Sequence, residues 1–250
     1  MLVKSRVGVS GDESRRCVMI GDIRRSSRIA DWPATFRQLQ RTLRQMNRAF
    51  ARVILIPFRP TVGDEFQGAL RAPDSAYDVL MCLKTGFHHS FCVGMGLGEV
   101  ERPFRADTGM RGTAFYRARR AIETCKRTRQ GALLFSDDKP TEADQLVNLL
   151  LSLQGAIEAR WTAREREIVD YARLHPDNSH ERLARHFGIS RQAITKSLGS
   201  AGWDAIHEAE LHLRGLMATA NGCFPKSNHQ RLPTGSPAPE VDSGKSTPGG

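Results

Sequence analysis

Apolar and polar positions along the chain follow two different periods. Short apolar runs bounded by Gly, Pro and charged residues occur at Cys17 to Ile23, Val53 to Phe58, Phe66 to Leu70, Phe91 to Val100 and Ala132 to Phe135, and runs of this length predict strands. Between them the apolar residues recur at helical spacing. Phe36, Leu39, Leu43, Met46 and Phe50 form one stripe within Trp32 to Val53, and Ala76, Val79, Leu80 and Leu83 form another within Asp74 to Thr85. A third helix is predicted over Gly112 to Thr128. The order strand, helix, two strands, helix, strand predicts an α+β, ferredoxin-like core with helices on one face of an antiparallel sheet. Pro57 and Pro60 mark the edge or the end of the second strand.

Beyond this core the pattern becomes all-helical. Thr162-Ala163-Arg164-Glu165 has the form of a capping box and opens a helix that reaches Leu174 before Pro176. Ser179 begins a helix over His180 to Phe187 that Gly188 ends, Ser190 caps another over Arg191 to Leu198, and a last helix spans Trp203 to Met217. Ala184, Gly188 and Ile194 stand at helix-turn-helix offsets: a small residue for close approach, a glycine for the turn, and an apolar anchor for the second helix. The expected organisation is an N-terminal extension (1–16), an α+β domain (17–139), a helical linker (140–160), a small helix-turn-helix domain (161–220) and a tail (221–250). The tail is rich in Pro, Gly and Ser with too little apolar surface to order itself.

Composition sharpens this picture at three points. No run approaches the roughly 18 apolar residues of a membrane helix, and the charged N-terminus lacks the apolar centre of a secretory signal, so a cytoplasmic location is expected. Five scattered cysteines without a Cys-x-x-Cys pair suggest neither a disulfide framework nor a zinc site. The net charge of +10 is uneven: residues 1–150 carry 25 Lys and Arg against 16 Asp and Glu, whereas residues 151–221 carry 9 against 9. Excess positive charge in the first domain suits a phosphorylated small molecule as well as a polymer.

Candidate chemistry gathers at strand ends. Asp22 closes the first strand, and Gly63-Asp64-Glu65-Phe66 falls near the tip of the hairpin that follows the second. Carboxylates at two strand ends can converge on a hard divalent cation, which takes oxygen ligands and often brings a phosphate. Arg24, Arg25, Ser26 and Ser27 form a basic, hydroxyl-rich loop able to hold phosphate oxygens, or simply a solvated turn. Gly94, Gly96 and Gly98 alternate along one strand and bare its backbone on one face, where another element or a ligand can approach. In the helical domain Arg182, Arg185, His186, Arg191 and Lys196 cluster in the motif. Ser190, Arg191, Gln192, Thr195 and Lys196 would face a DNA groove, with Arg191 and Gln192 reaching base edges.

Asp22-Ile23, the Gly-Asp-Glu-Phe hairpin, the stretch Val93 to Val100 and the stretch Gly112 to Arg119, in this order, resemble the SatD family, itself similar to class III nucleotide cyclases and GGDEF domains. The resemblance implies that Asp22, Asp64 and the carbonyl of Ile23 hold magnesium or manganese over nucleotide phosphates. It also implies that Glu65 and Arg120 take part in catalysis where catalysis exists. Several positions depart from the cyclase pattern: Tyr116 stands at the asparagine, Pro60 at the purine-reading lysine, Val62 at the first glycine of GGDEF, and Arg25-Ser26 at the phosphate-loop Gly-Phe. The expected function is a DNA-binding regulator with a divergent, non-cyclase nucleotide- and metal-binding sensory domain. A metal-dependent nucleotide-transforming enzyme and a protein-interaction scaffold are the alternatives. Because the second domain is neutral, a homodimer is expected, through Trp203, Ile206, Leu211 and Leu213.

Overall fold

The structure is a computed structural model that describes residues 15–101 and 111–219; the expected extension, up to residue 14, and the expected tail lie outside the described residues. Among the described residues thirteen strands and α-helices follow one another: β1 (Arg16–Ile23), α1 (Trp32–Ala49), β2 (Ile54–Pro60), β3 (Glu65–Leu70), α2 (Ala76–Gly86), β4 (Phe91–Gly98), α3 (Thr113–Thr128), β5 (Ala132–Phe135), α4 (Glu142–Glu158), α5 (Ala163–Leu174), α6 (His180–Phe187), α7 (Arg191–Ser200) and α8 (Trp203–Thr219). The sheet order is β2-β3-β1-β4-β5, antiparallel throughout except that β5 runs parallel to β4. The first six elements thus form the ferredoxin-like unit, and α3 with β5 adds one parallel crossover. β2 is an edge strand, where prolines can be accommodated; Pro57 falls within its register shifts between Ile54 and Arg59, and Pro60 ends it opposite Phe66.

The helices do not share one face, as the sequence pattern suggested. Cys17, Met19 and Ile23 of β1 pack with Leu39, Leu43 and Met46 of α1 and Val79, Leu80 and Leu83 of α2. Val18 and Ile20, pointing the other way, pack under Ala114, Ala118, Ala121, Ile122 and Cys125 of α3. The reason is the parallel β4–β5 pair, whose connection must cross over the sheet and places its helix on the free face. β1 is accordingly apolar on both sides, the pattern of a strand covered twice. The alternating glycines serve this helix. A Cβ on Gly94 would lie 2.3 Å from the backbone nitrogen of Ile122, and one on Gly96 2.2 Å from the backbone of Ala114 and Ala118, so α3 rests directly on the main chain of β4.

α5, α6 and α7 enclose a separate core of Ile168, Val169, Leu183, Ala184, Ile194 and Leu198. Thr162 and Glu165 complete the capping box, Ser179 and Ser190 cap α6 and α7, and Gly188 takes the left-handed conformation at φ 63°. α4 is more than a linker: Val147 and Leu151 join the α1/α2 side of the sheet core. α8 bridges both cores, with Ile206 in the helical one and Leu213 and Met217 in the sheet one. Ile206 and Leu213 are therefore consumed internally and cannot form the dimer contact expected of them. Of the residues expected there, Leu211 remains well exposed.

A buried ion network joins the two units. Arg173 of α5 donates to Glu158 of α4 at 2.7 Å, to Glu210 of α8 at 2.8 Å and to Asp170 at 3.0 Å. Glu158 also pairs with Lys84 of α2 at 2.5 Å and accepts from Gln154, and Arg214 of α8 pairs with Asp78 of α2 at 2.8 Å.

Candidate functional site

β1 and β3 meet in a register that sets Asp22 directly opposite Glu65. Opposed residues on antiparallel strands point to the same face, and like charges there are destabilising. α3 supplies the compensation. Lys126 Nζ lies 2.6 Å from Asp22 Oδ2 and 3.2 Å from Glu65 Oε1, and Arg119 Nη1 donates to both oxygens of Glu65 at 2.9 Å. Positions 119 and 126 are seven apart, two helical turns, and so share the face of α3 turned toward these strands. Burial, together with the charges of Asp64 and Glu65, raises the Asp22 pKa above the ordinary carboxylate value, although Lys126 opposes this. Burial works against the charge on Lys126, yet its bonds to the two carboxylates outweigh it and raise the ammonium pKa.

Asp64 is turned elsewhere. It sits at the hairpin tip, beyond Gly63 at φ 70°, and accepts the Ser26 hydroxyl at 2.5 Å, while its carbonyl accepts from the Ile23 N–H at 3.2 Å. In this arrangement the Lys126 ammonium stands between Asp22 and Glu65, and Asp64 accepts from Ser26. Among the described residues no three His, Cys, Asp or Glu side chains form a metal-binding group.

Beside the carboxylates opens a cleft of about 580 Å³ lined by Asp22, Arg24, Arg25, Ser90, Cys92, Lys126 and Arg129. Arg25 at φ 54° and Arg129 at φ 60° are the two non-glycine residues with positive φ among the described residues. A left-handed L-residue costs roughly 1–2 kcal/mol, and such outliers concentrate at functional sites. Arg24 is anchored through a hydrogen bond to the Gln130 carbonyl. Ser27 lies in the short helical turn Ser26–Arg28 and is exposed.

The outer surface of α7 is a second candidate. Ile194 and Leu198 face inward, while Ser190, Arg191, Gln192, Thr195 and Lys196 are exposed. Some of these have internal duties. Ser190 accepts from the Ala193 N–H, Arg191 pairs with Glu181 at 2.9 Å, and Thr195 bonds the Arg191 carbonyl and His180. The side chains of Gln192 and Lys196 carry no such bond among the described residues.

The model of the SatD family matches residues 17–210. The chain belongs to the SatD family. Solved structures of a bacterial light-regulated adenylyl cyclase are similar at 13% identity and a TM-score of 0.35; each match covers 48% of this SatD-family chain, and 75% of one cyclase chain or 42% of the other. A regulator of polyketide synthase expression from Bifidobacterium adolescentis is similar at 13% identity and a TM-score of 0.20, over 83% of this chain and 84% of that one. No curated protein matches. The α+β assignment of this SatD-family protein rests on its own strand order. Among the described residues no helix is long and apolar enough to cross a membrane.

Of the residues expected at the first site, the fold brings Asp22, Ile23, Asp64, Glu65, Ser26 and the Arg24–Arg25 loop together at one end of the sheet. Arg120 does not join them. Its guanidinium lies over the Phe135 ring at 5.7 Å, on β5, and β1 and β4 separate that strand from Glu65. Consecutive helical residues differ by about 100°, so the arginine that reaches Glu65 is its neighbour, Arg119. Lys126 and Arg129 were missed by sequence reasoning. The signal available for Lys126 was its spacing of seven from Arg119 on a helix following a glycine strand; Arg129 left no comparable sign.

Proposed function

We propose that this SatD-family protein is a DNA-binding regulator in which α6, the Gly188 turn and α7 act as a helix-turn-helix, and in which the α+β domain senses a phosphate-bearing nucleotide. The observation that carries the reading is the outward face of α7: Gln192 and Lys196, exposed and without a side-chain bond among the described residues, extend from a helix anchored by Ile194 and Leu198, flanked by exposed Arg182, Arg185 and Arg191. A polar amide suits a base edge and the cations suit phosphates. Ser190 and Thr195 act chiefly by fixing the start of α7 and its position against α6.

The sensory half is supported by the cleft, where Arg24, Arg25, Lys126 and Arg129 present cations around a space suited to a polyanion. In this reading Lys126 takes the place of the divalent ion, so the ligand's phosphates meet a protein ammonium directly. Glu65 is held in ion pairs by Arg119 and Lys126, and the reading includes no nucleotide transformation.

Binding of labelled duplexes from a random pool, followed by fluorescence anisotropy across a salt series, tests the first half. Gln192→Ala with Lys196→Ala is expected to weaken binding at least tenfold and to lower the salt slope by about one; unchanged affinity and slope would overturn the assignment. For the second half, a panel of nucleoside triphosphates in the presence of a chelator is expected to raise the melting temperature of the wild type. Arg25→Ala with Arg129→Ala is expected to remove the shift. Lys126→Ala, which frees Asp22 and Glu65, is expected to create a manganese-dependent shift that the wild type lacks. If manganese stabilises the wild type as much as the variant, Lys126 does not hold the cation position.

A further inference from the structure

The outward side of α4 carries a second apolar stripe. Its inner side, Val147, Leu151, Gln154 and Glu158, is buried, yet Leu146, Leu149 and Leu153 are 45%, 55% and 53% exposed. Glu142, Ala156 and Arg160 are exposed on the same stripe. The positions 142, 146, 149, 153, 156 and 160 alternate steps of four and three, the repeat of a coiled-coil seam. A surface helix that buries one face and still presents such a seam has a partner to meet.

The ends of the stripe identify the partner. When two copies of α4 lie antiparallel, Leu149 of each faces Leu153 of the other and Leu146 faces Ala156. Glu142, the first residue of the helix, then faces Arg160, two residues beyond its end. Opposite charges meet at both ends, as a two-fold axis requires of a self-complementary surface. A parallel arrangement would set Glu142 against Glu142 and Arg160 against Arg160. We infer that the α4 seam is the homodimer interface of this protein, with two copies packed antiparallel across Leu146, Leu149 and Leu153. This replaces the contact expected at α8, whose Ile206 and Leu213 are internal, and it gives the neutral helical domain a second binding head. It does not depend on the identity of the cleft ligand or on DNA binding.

Three half-exposed leucines per copy form a seam well below the roughly 1,600 Å² of a standard stable interface, so a dissociation constant of about micromolar order is expected. Sedimentation equilibrium of the full chain between about 1 and 100 µM tests the inference. The wild type is expected to shift from monomer to dimer across this range, and Leu149→Glu with Leu153→Glu to remain monomeric with unchanged circular dichroism. Glu142→Arg alone or Arg160→Glu alone is expected to weaken the dimer about tenfold, and the two together to restore it. A wild type that stays monomeric at the top of the range, or a dimer indifferent to the double leucine replacement, would overturn the seam. Failure of the paired charge reversals to rescue each other would overturn the antiparallel register.

Discussion

Replacing Arg173 by methionine is expected to destabilise the protein by about 3–5 kcal/mol, the range observed when one partner of a buried ion pair is removed. The side chain of Arg173 is 4% exposed, and those of Glu158 and Glu210 are 6% and 2% exposed. Without the guanidinium, Glu210 is left with Arg214 at 3.7 Å, while Glu158 keeps Lys84 at 2.5 Å. The loss corresponds to roughly 10 °C in melting temperature for a chain of this size. Because Lys84 and Asp78 belong to α2 and Arg173 to α5, the variant is also expected to unfold in two separated steps. Urea denaturation at pH 7, followed through Trp161, which lies beneath Arg173, measures the effect. The acid limb gives a second reading of the same network. Burial by itself pushes the Glu158 carboxyl up, but Lys84 and Arg173 overcome this and hold its pKa at about 2 against the usual 4.5. A depressed folded-state pKa contributes stability that is fully present above 4.5 and is lost as pH falls toward 2. The contribution is about 3 kcal/mol at neutral pH. Glu158→Gln should abolish that part of the acid dependence. A loss below about 1 kcal/mol in Arg173→Met, or identical acid limbs for wild type and Glu158→Gln, would refute the argument.

Gly96→Ala is expected to cost roughly 3 kcal/mol, at the upper end for overpacking, because the new Cβ would lie 2.2 Å from helix backbone that cannot rotate away; thermal unfolding measures it. Gly155→Ala in α4, where a Cβ meets nothing within 4 Å, is the control and should gain up to about 1 kcal/mol from helix propensity. Ile194→Ala removes a fully buried anchor and should cost about 2–4 kcal/mol. Hydrogen exchange should accelerate in α5, α6 and α7 while β1 and β4 stay protected; equal acceleration in the sheet would show that the two cores do not open separately.

Much of the local architecture was legible because it depends on near neighbours. The apolar stripe of α1, the short run of β5, the capping boxes and serine caps and the Gly188 turn are each set by residues within a turn or two of one another. The hairpin at Gly63-Asp64 was equally visible, since a left-handed glycine between two apolar runs specifies it. The succession of strands and helices along the chain followed from the sequence of periods, but the face occupied by α3 did not. That face is decided by β5 lying parallel to β4, a pairing between segments far apart in the chain.

The candidate site divides along the same line. By itself the sequence determined that Asp22 and Asp64-Glu65 stand at strand ends, that basic residues follow Asp22, and that α7 has a polar outer side. Only the tertiary structure decided which carboxylates meet. The β1–β3 register opposes Asp22 to Glu65, and Asp64, one residue earlier at the turn, bonds Ser26 instead. It likewise placed Lys126 between the two carboxylates, chose Arg119 over Arg120, and drew Arg173, Glu158 and Glu210 into one buried network. Each of these outcomes depends on distances between elements separated by tens of residues, which register and packing fix and local periodicity does not contain.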